Sequence, residues 1–169
     1  MGGTDSARGN ESQTAEFNFY ADPEAAEIVL ERFKETNLKV KLVTWECTIK
    51  NAITWEFYDK LCDQNKVEGF LMKECSKAME LFLRREGQES VSDYIIPDFV
   101  AAAVLIDESL VEKSKLVHAS VELEGAKTRG MCVIDWDQLH CGKILNCQII
   151  REINQEKMEK MLLSIFSSK

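Results

Sequence analysis

Ala15-Glu16-Phe17-Asn18-Phe19-Tyr20-Ala21-Asp22-Pro23-Glu24-Ala25-Ala26 is the stretch on which the fold turns. Asp22 has the side chain of a helix N-cap, and Pro23 stands at the first helical position, where its missing N–H costs nothing. Ala26, Val29, Leu30 and Phe33 recur at i, i+3, i+4 and i+7, so the spacing predicts a helix over 22–36. Upstream lie Met1-Gly2-Gly3 and Gly9-Asn10, small and polar without periodicity, which reads as a loop over 1–21. Glu16 and Asn18 alternate, which would place both on one side of an extended segment with Phe17 and Phe19 turned to a core. Asn10, Glu16 and Asn18 then offer donors and acceptors to a polyhydroxylated ligand. The same spacing also fits an ordinary surface loop with a hydrophobic staple for the following helix.

Working outward, 169 residues suffice for one domain with a real core, here spanning 1–169. Hydrophobic residues at 45%, charged residues at 30% and only two prolines describe a globular chain. A net charge of −8 disfavours nucleic acid or an anionic membrane surface as partner. No apolar run approaches the roughly 18–20 residues of a membrane span. The start lacks the basic and apolar regions of a secretory signal, so a cytoplasmic location is expected. The six cysteines are scattered without C-x-x-C spacing, which points to reduced thiols rather than disulfides or zinc.

Further along, 38–44 reads as a short strand, and Thr54 as the cap of a helix bearing Trp55, Tyr58, Leu61 and Cys62. A helix over 68–85 should turn Leu71, Cys75, Ala78 and Phe82 inward and stop at Gly87. Residues 99–106 are apolar all round, as in a helix buried on every side, with Asp98 expected as its N-cap. Val117, Ala119, Val121 and Leu123 alternate with polar residues as in a half-exposed strand. Strands at 131–136 and 143–150 and a closing helix with Met158, Met161, Leu162, Ile165 and Phe166 on one stripe complete an α/β chain. His118 reads as solvated, Asp135 and Asp137 as strand terminators, and Arg129 as either a turn residue or a partner for a carboxylate.

These residues resemble a known family. Met1-Gly2-Gly3, Gly9-Asn10, Ala15-Glu16-Phe17-Asn18-Phe19 and Asp22-Pro23-Glu24-Ala25-Ala26 are similar, in this order, to the middle signature of the inosine–uridine-preferring nucleoside hydrolases. Pro97-Asp98-Phe99 resembles the start of the family's His-Asp-Pro helix, and Thr128-Arg129-Gly130 its Arg-Gly hairpin. The resemblance covers the C-terminal half of such an enzyme. It implies a partial nucleoside-hydrolase-like α/β fold, helices followed by a late hairpin region, lacking the N-terminal strands. The implied activity is cleavage of the N-glycosidic bond of a purine or pyrimidine nucleoside to base and ribose. The implied site has Asn10, Glu16 and Asn18 on the ribose hydroxyls, Met1 lining the pocket and Asp98 as a ligand to Ca²⁺. No D-x-D-x-x-x-D-D cluster, the family's source of metal ligands and of the water-activating base, occurs in the sequence. Pro97 stands where the family has a histidine thought to protonate the leaving base. The expectation is therefore a truncated form with little or no activity alone, with an open sheet edge, marginal stability and possible homo-oligomerisation. A non-catalytic ribose-ligand-binding or protein-interaction descendant is the alternative.

Overall fold

A computed structural model describes residues 1–36, 38–64, 66–83, 93–140 and 144–167. Its contacts gather into two units: Met1–Thr48 with Val111–Ile153, and Ile49–Leu110 with Asn154–Lys169.

The first unit is built on a four-stranded sheet in the order β1-β4-β2-β3. Its strands are β1 (Val40–Val43), β2 (Val111–Val121), β3 (Cys132–Asp135) and β4 (Cys147–Ile153). β2 and β3 form the expected hairpin, with Val121 opposite Cys132 and His118 opposite Asp135. The reversal is completed at Gly130, whose φ of +83° suits a residue without Cβ. β4 runs antiparallel to β2 and parallel to β1, with Val40 opposite Cys147 and Val43 opposite Ile150. Neighbours in a strand point to opposite faces, and Ile149 and Ile150 are both fully buried, so β4 is covered on both sides there. Val117, Ala119 and Val121 are buried, as their alternation predicts.

Helix α2 (Pro23–Lys34) covers part of this sheet, and Leu30 joins Leu42, Val117, Ala119, Cys147 and Ile149 in its core. Asp22 caps it as predicted, accepting from Ala25 N at 2.9 Å. Asn146, just before β4, is wholly buried and ties the pieces together. Its Oδ1 accepts from Ala119 N at 2.8 Å, and its Nδ2 donates to Ala119 O at 2.8 Å and Leu30 O at 3.0 Å.

The second unit is helical: α4 (Trp55–Gln64), α5 (Lys66–Leu83), α6 (Pro97–Ile106), a 3-10 turn (Glu108–Leu110) and α7 (Gln155–Ser167). Thr54 Oγ1 accepts from Phe57 N at 3.2 Å, the predicted cap of α4. α7 packs on α4 and α6, burying Met158 and Leu162, while Ile165 of the predicted stripe is 43% exposed.

Several expectations are corrected. The 1–21 loop ends in a short helix, α1 (Phe17–Ala21), and a further helix, α3 (Trp45–Lys50), begins directly after β1. α6 is not buried on every side: Leu105 and Ile106 are 74% and 75% exposed. Uniform apolarity gives no phase to a helix, so it cannot tell the buried face from the bare one. Asp98 is not the N-cap of α6. Pro97 takes the first helical position, Ile96 the cap without a side-chain bond, and Asp98 falls inside the first turn. On α5, Leu71 and Cys75 are exposed, against the inward turn predicted for them, and Ser76 is buried, while the side chains of Ala78 and Phe82 lie outside those described. Gly87 and the predicted end of that helix lie outside the described residues.

Candidate functional site

The extended pattern inferred for Glu16 and Asn18 is overridden by Glu16 itself. Its backbone is extended and its carboxylate caps α1, with Oε1 accepting from Asn18 N at 2.9 Å and Oε2 from Phe19 N at 3.3 Å. Once the chain turns helical, Phe17 and Phe19 part company: Phe17 is 57% exposed and Phe19 enters the sheet core. Glu16 Oε2 also accepts from Gly3 N at 2.9 Å, so one carboxylate, 2% exposed, joins the first residues of the chain to the α1 start.

Gly3 has room for this because it is glycine. Its φ is +65°, and a Cβ would meet Phe19 Cζ at 3.2 Å and Cys132 Cβ at 3.3 Å. Met1 to Gly3 lie along the end of β1, with Gly2 N donating to Val43 O at 3.1 Å and Trp45 N donating to Gly3 O at 3.0 Å. Asn18 Nδ2 then reaches Met1 O and Met1 Sδ, both at 3.4 Å. Asn10 Oδ1 accepts from Phe17 N at 2.9 Å, bonding the polar loop to the first residue of the helix. Met1, Asn10, Glu16 and Asn18 are thus brought together in the first unit by direct bonds to α1 or to one another.

Asp98 belongs to the second unit, an exposed side chain in the first turn of α6. Calcium takes about six to eight oxygens, and one carboxylate offers two at most. Among the described residues no group of three His, Cys, Asp or Glu could hold a metal ion. The described residues do not by themselves make a calcium site.

Of the remaining candidates, Arg129 and Asp135 have structural partners. Arg129 makes a two-pronged pair with Glu24, at 2.6 and 2.8 Å, and also donates to Leu123 O. That guanidinium holds the Glu24 carboxyl below its ordinary pKa. Asp135 accepts from Leu139 N at 3.1 Å and His140 N at 2.9 Å, shaping the turn after β3. His118 is half-buried rather than fully solvated. Its pKa is pushed down by burial first and by the Lys34 ammonium second. Sequence reasoning missed Glu46 and Asn146, whose partners lie 27 to 116 residues away, beyond any local spacing rule.

The sheet, its flanking helices and the loop fastened to α1 define a mixed α/β protein with the architecture of a nucleoside hydrolase. Residues 1–160 match the profile of the inosine-uridine preferring nucleoside hydrolases, and the chain belongs to that family. A probable ribonucleoside hydrolase of Dictyostelium discoideum is 28% identical over 162 residues, covering 92% of this chain and 45% of its own length. A pyrimidine-specific ribonucleoside hydrolase, RihA, of Photobacterium profundum is 26% identical over 96% of this chain and 50% of its own. Among solved structures, an inosine-guanosine nucleoside hydrolase superposes with a TM-score of 0.87 at 35% identity, over 100% of this chain and 51% of that one. The plant nucleoside hydrolase PpNRh1 shares the fold, with a TM-score of 0.83 at 19% identity, over 99% of this chain and 52% of that one. The chain spans about half the length of the relatives it matches.

Proposed function

We propose that this chain carries the sugar-gripping part of a nucleoside N-ribohydrolase site. The observation that supports it is the bonded group of Met1, Asn10, Glu16 and Asn18 in one unit, at the positions where the family resemblance puts ribose contacts. Asn10 uses its carbonyl oxygen and Asn18 its amide nitrogen on the protein, which leaves the other end of each amide for a hydroxyl. Glu16 accepts three backbone N–H bonds, and a carboxylate has about four acceptor positions, so it can take one hydroxyl more. Such contacts favour N-glycosidic cleavage when they tighten as charge develops on the sugar.

The ligand is a purine or pyrimidine nucleoside, bound through its ribose, and the setting is cytoplasmic nucleoside catabolism within one hydrolase-like domain. Among the described residues no helix is long and apolar enough to cross a membrane. A calcium ion is the family's expected cofactor, with Asp98 as one ligand. The ligand set on the described residues is incomplete, so no catalytic step is assigned to it. The chain alone is therefore expected to bind ribose without turning over nucleoside. That incompleteness also favours the second reading, a non-catalytic ribose-binding descendant.

Titration of ribose and inosine into the chain, with Asn18→Ala as control, tests the grip. Binding weakened at least several-fold by the substitution is expected, and wild-type binding that Asn18→Ala leaves unchanged would sink the reading. Hydrolysis of inosine or uridine with added calcium is expected to be undetectable. Turnover that Asp98→Ala abolishes would show instead that the site is complete.

A further inference from the structure

Glu46 sits in the first turn of α3, and the sugar grip makes no use of it. Its carboxylate reaches back 40 residues in sequence to the polar loop. Oε2 accepts from Asp5 N at 3.0 Å, and Oε1 accepts from Ser6 N at 3.0 Å and Ser6 Oγ at 2.5 Å. Asp5 is held a second time, by Arg151 Nε at 2.8 Å, and its side chain is only 7% exposed. Arg151 is itself fixed, its guanidinium 5.3 Å from the Trp136 ring centroid. Lys115 Nζ lies 5.5 Å from the same ring and donates to Trp136 O at 2.6 Å. A line of contacts thus runs from α3 through residues 5 and 6 to β4 and the end of β3.

The segment it holds does not keep its shape by local preference. Ala7 has φ +56°, a left-handed conformation that an alanine adopts at a cost. Backbone bonds hold the flanks of this segment: Gly2 to Val43 and Gly3 to Trp45 on one side, and Gly9 N to Gln13 O at 3.2 Å on the other. Between them, the described bonds on the backbone N–H groups of residues 5 and 6 are those to Glu46.

We propose that Glu46 is a positioning residue for the ribose-binding loop: with Asp5 and Arg151 it fixes the 4–8 segment, and so the placement of Asn10 relative to Met1. This rests on the sugar-binding reading above. A loop that spends only part of its time in the competent shape binds in proportion to that fraction.

Ribose and inosine are titrated into the chain and into Glu46→Gln and Ser6→Ala, with amide hydrogen exchange followed residue by residue. In Glu46→Gln, affinity should fall about tenfold, as expected if the loop is competent about a tenth of the time. Exchange at residues 5 to 8 should quicken while α4 and α7 keep their protection. Ser6→Ala removes one bond and should move both readouts less, in the same direction. Unchanged affinity in Glu46→Gln overturns the proposal. So does lost affinity with unaltered exchange, which would make Glu46 a ligand contact. If the unsubstituted chain binds neither ribose nor inosine, the sugar-binding reading fails. Exchange then decides the role of Glu46: quickened exchange confined to 5–8 supports the clamp, and unaltered exchange refutes it. If Glu46→Gln does not fold, the same two outcomes are read from Ser6→Ala.

Discussion

At the scale of single residues, two buried polar side chains define the first unit. Glu16 and Asn146 are each 2% exposed or less, and each spends its polar atoms on backbone groups. That is the condition under which a buried polar side chain stabilises rather than costs. Asn146 has the more demanding position, since both ends of its amide are used and its partners come from β2 and α2. Asn146→Ala would orphan Ala119 N and Ala119 O inside the core, and each buried unsatisfied group costs about 1–3 kcal/mol. We expect a loss of about 3 kcal/mol, seen as a lower urea midpoint. Asn146→Asp should cost more, because a carboxylate oxygen would face the Ala119 and Leu30 carbonyls. A variant as stable as the parent would show that the amide network is dispensable.

At the scale of elements, α2 shows how a signal legible in sequence can hide a long-range contact. Its cap, first-turn proline and core residue Leu30 follow from local rules. Nothing in the sequence shows that Glu27 leaves the helix face to accept from Val121 N on β2, at 2.5 Å. Glu27 has its pKa raised, first by burial and, against the pull of that N–H, by its neighbour Glu31, which is itself paired with Lys34. A raised folded pKa means stability that is fully present below the unfolded value, about 4.3, and is lost as pH rises through the folded one. Glu27→Gln keeps an acceptor for Val121 N without the charge. It should therefore gain on the parent near pH 7, and the gain should shrink as pH falls from the raised folded pKa towards about 4.3, below which it is gone. Paired thermal melts across pH 3.5–7 read this directly, and a difference independent of pH would refute it.

The same contrast sets how much could be read without a structure. The β2–β3 hairpin and the α2 and α4 caps were legible because alternation, capping and turn residues act within a few positions, whereas the last strand, expected over 143–150, runs Cys147–Ile153. α1 was not, since Glu16 decides it by capping where period-2 alternation suggested an extended segment. The exposed end of α6 was not, because an all-apolar run carries no phase. At the candidate site, Met1, Asn10, Glu16 and Asn18 were singled out as a ribose site by family resemblance alone. Their local bonding was not legible, because it depends on Gly3 being brought beneath Phe19 across 16 residues of chain.

At the scale of the whole molecule, each unit buries an ionisable group in its neutral form. In the first unit the Cys147 thiol is pushed up to about 12 by burial, and Cys132 is raised further, by burial and then by Cys147. In the second, burial lifts the Tyr58 hydroxyl to about 12. Unfolded, the thiols titrate near 8.5 and the phenol near 10. The unfolded chain therefore releases these protons first, and stability falls with rising pH wherever it binds fewer protons than the fold. The loss should begin near pH 8.5 from the cysteines and steepen near pH 10 as tyrosine joins. By pH 10 a thiol displaced this far costs about 2 kcal/mol. Urea midpoints at pH 7, 9 and 10 under reducing conditions should decline in that order, and Cys147→Ala should make the decline shallower whatever it does to stability at pH 7. Equal slopes in parent and variant would mean that the Cys147 thiol ionises as readily in the fold as in the unfolded chain, and so that β4 is open to water where the structure buries it.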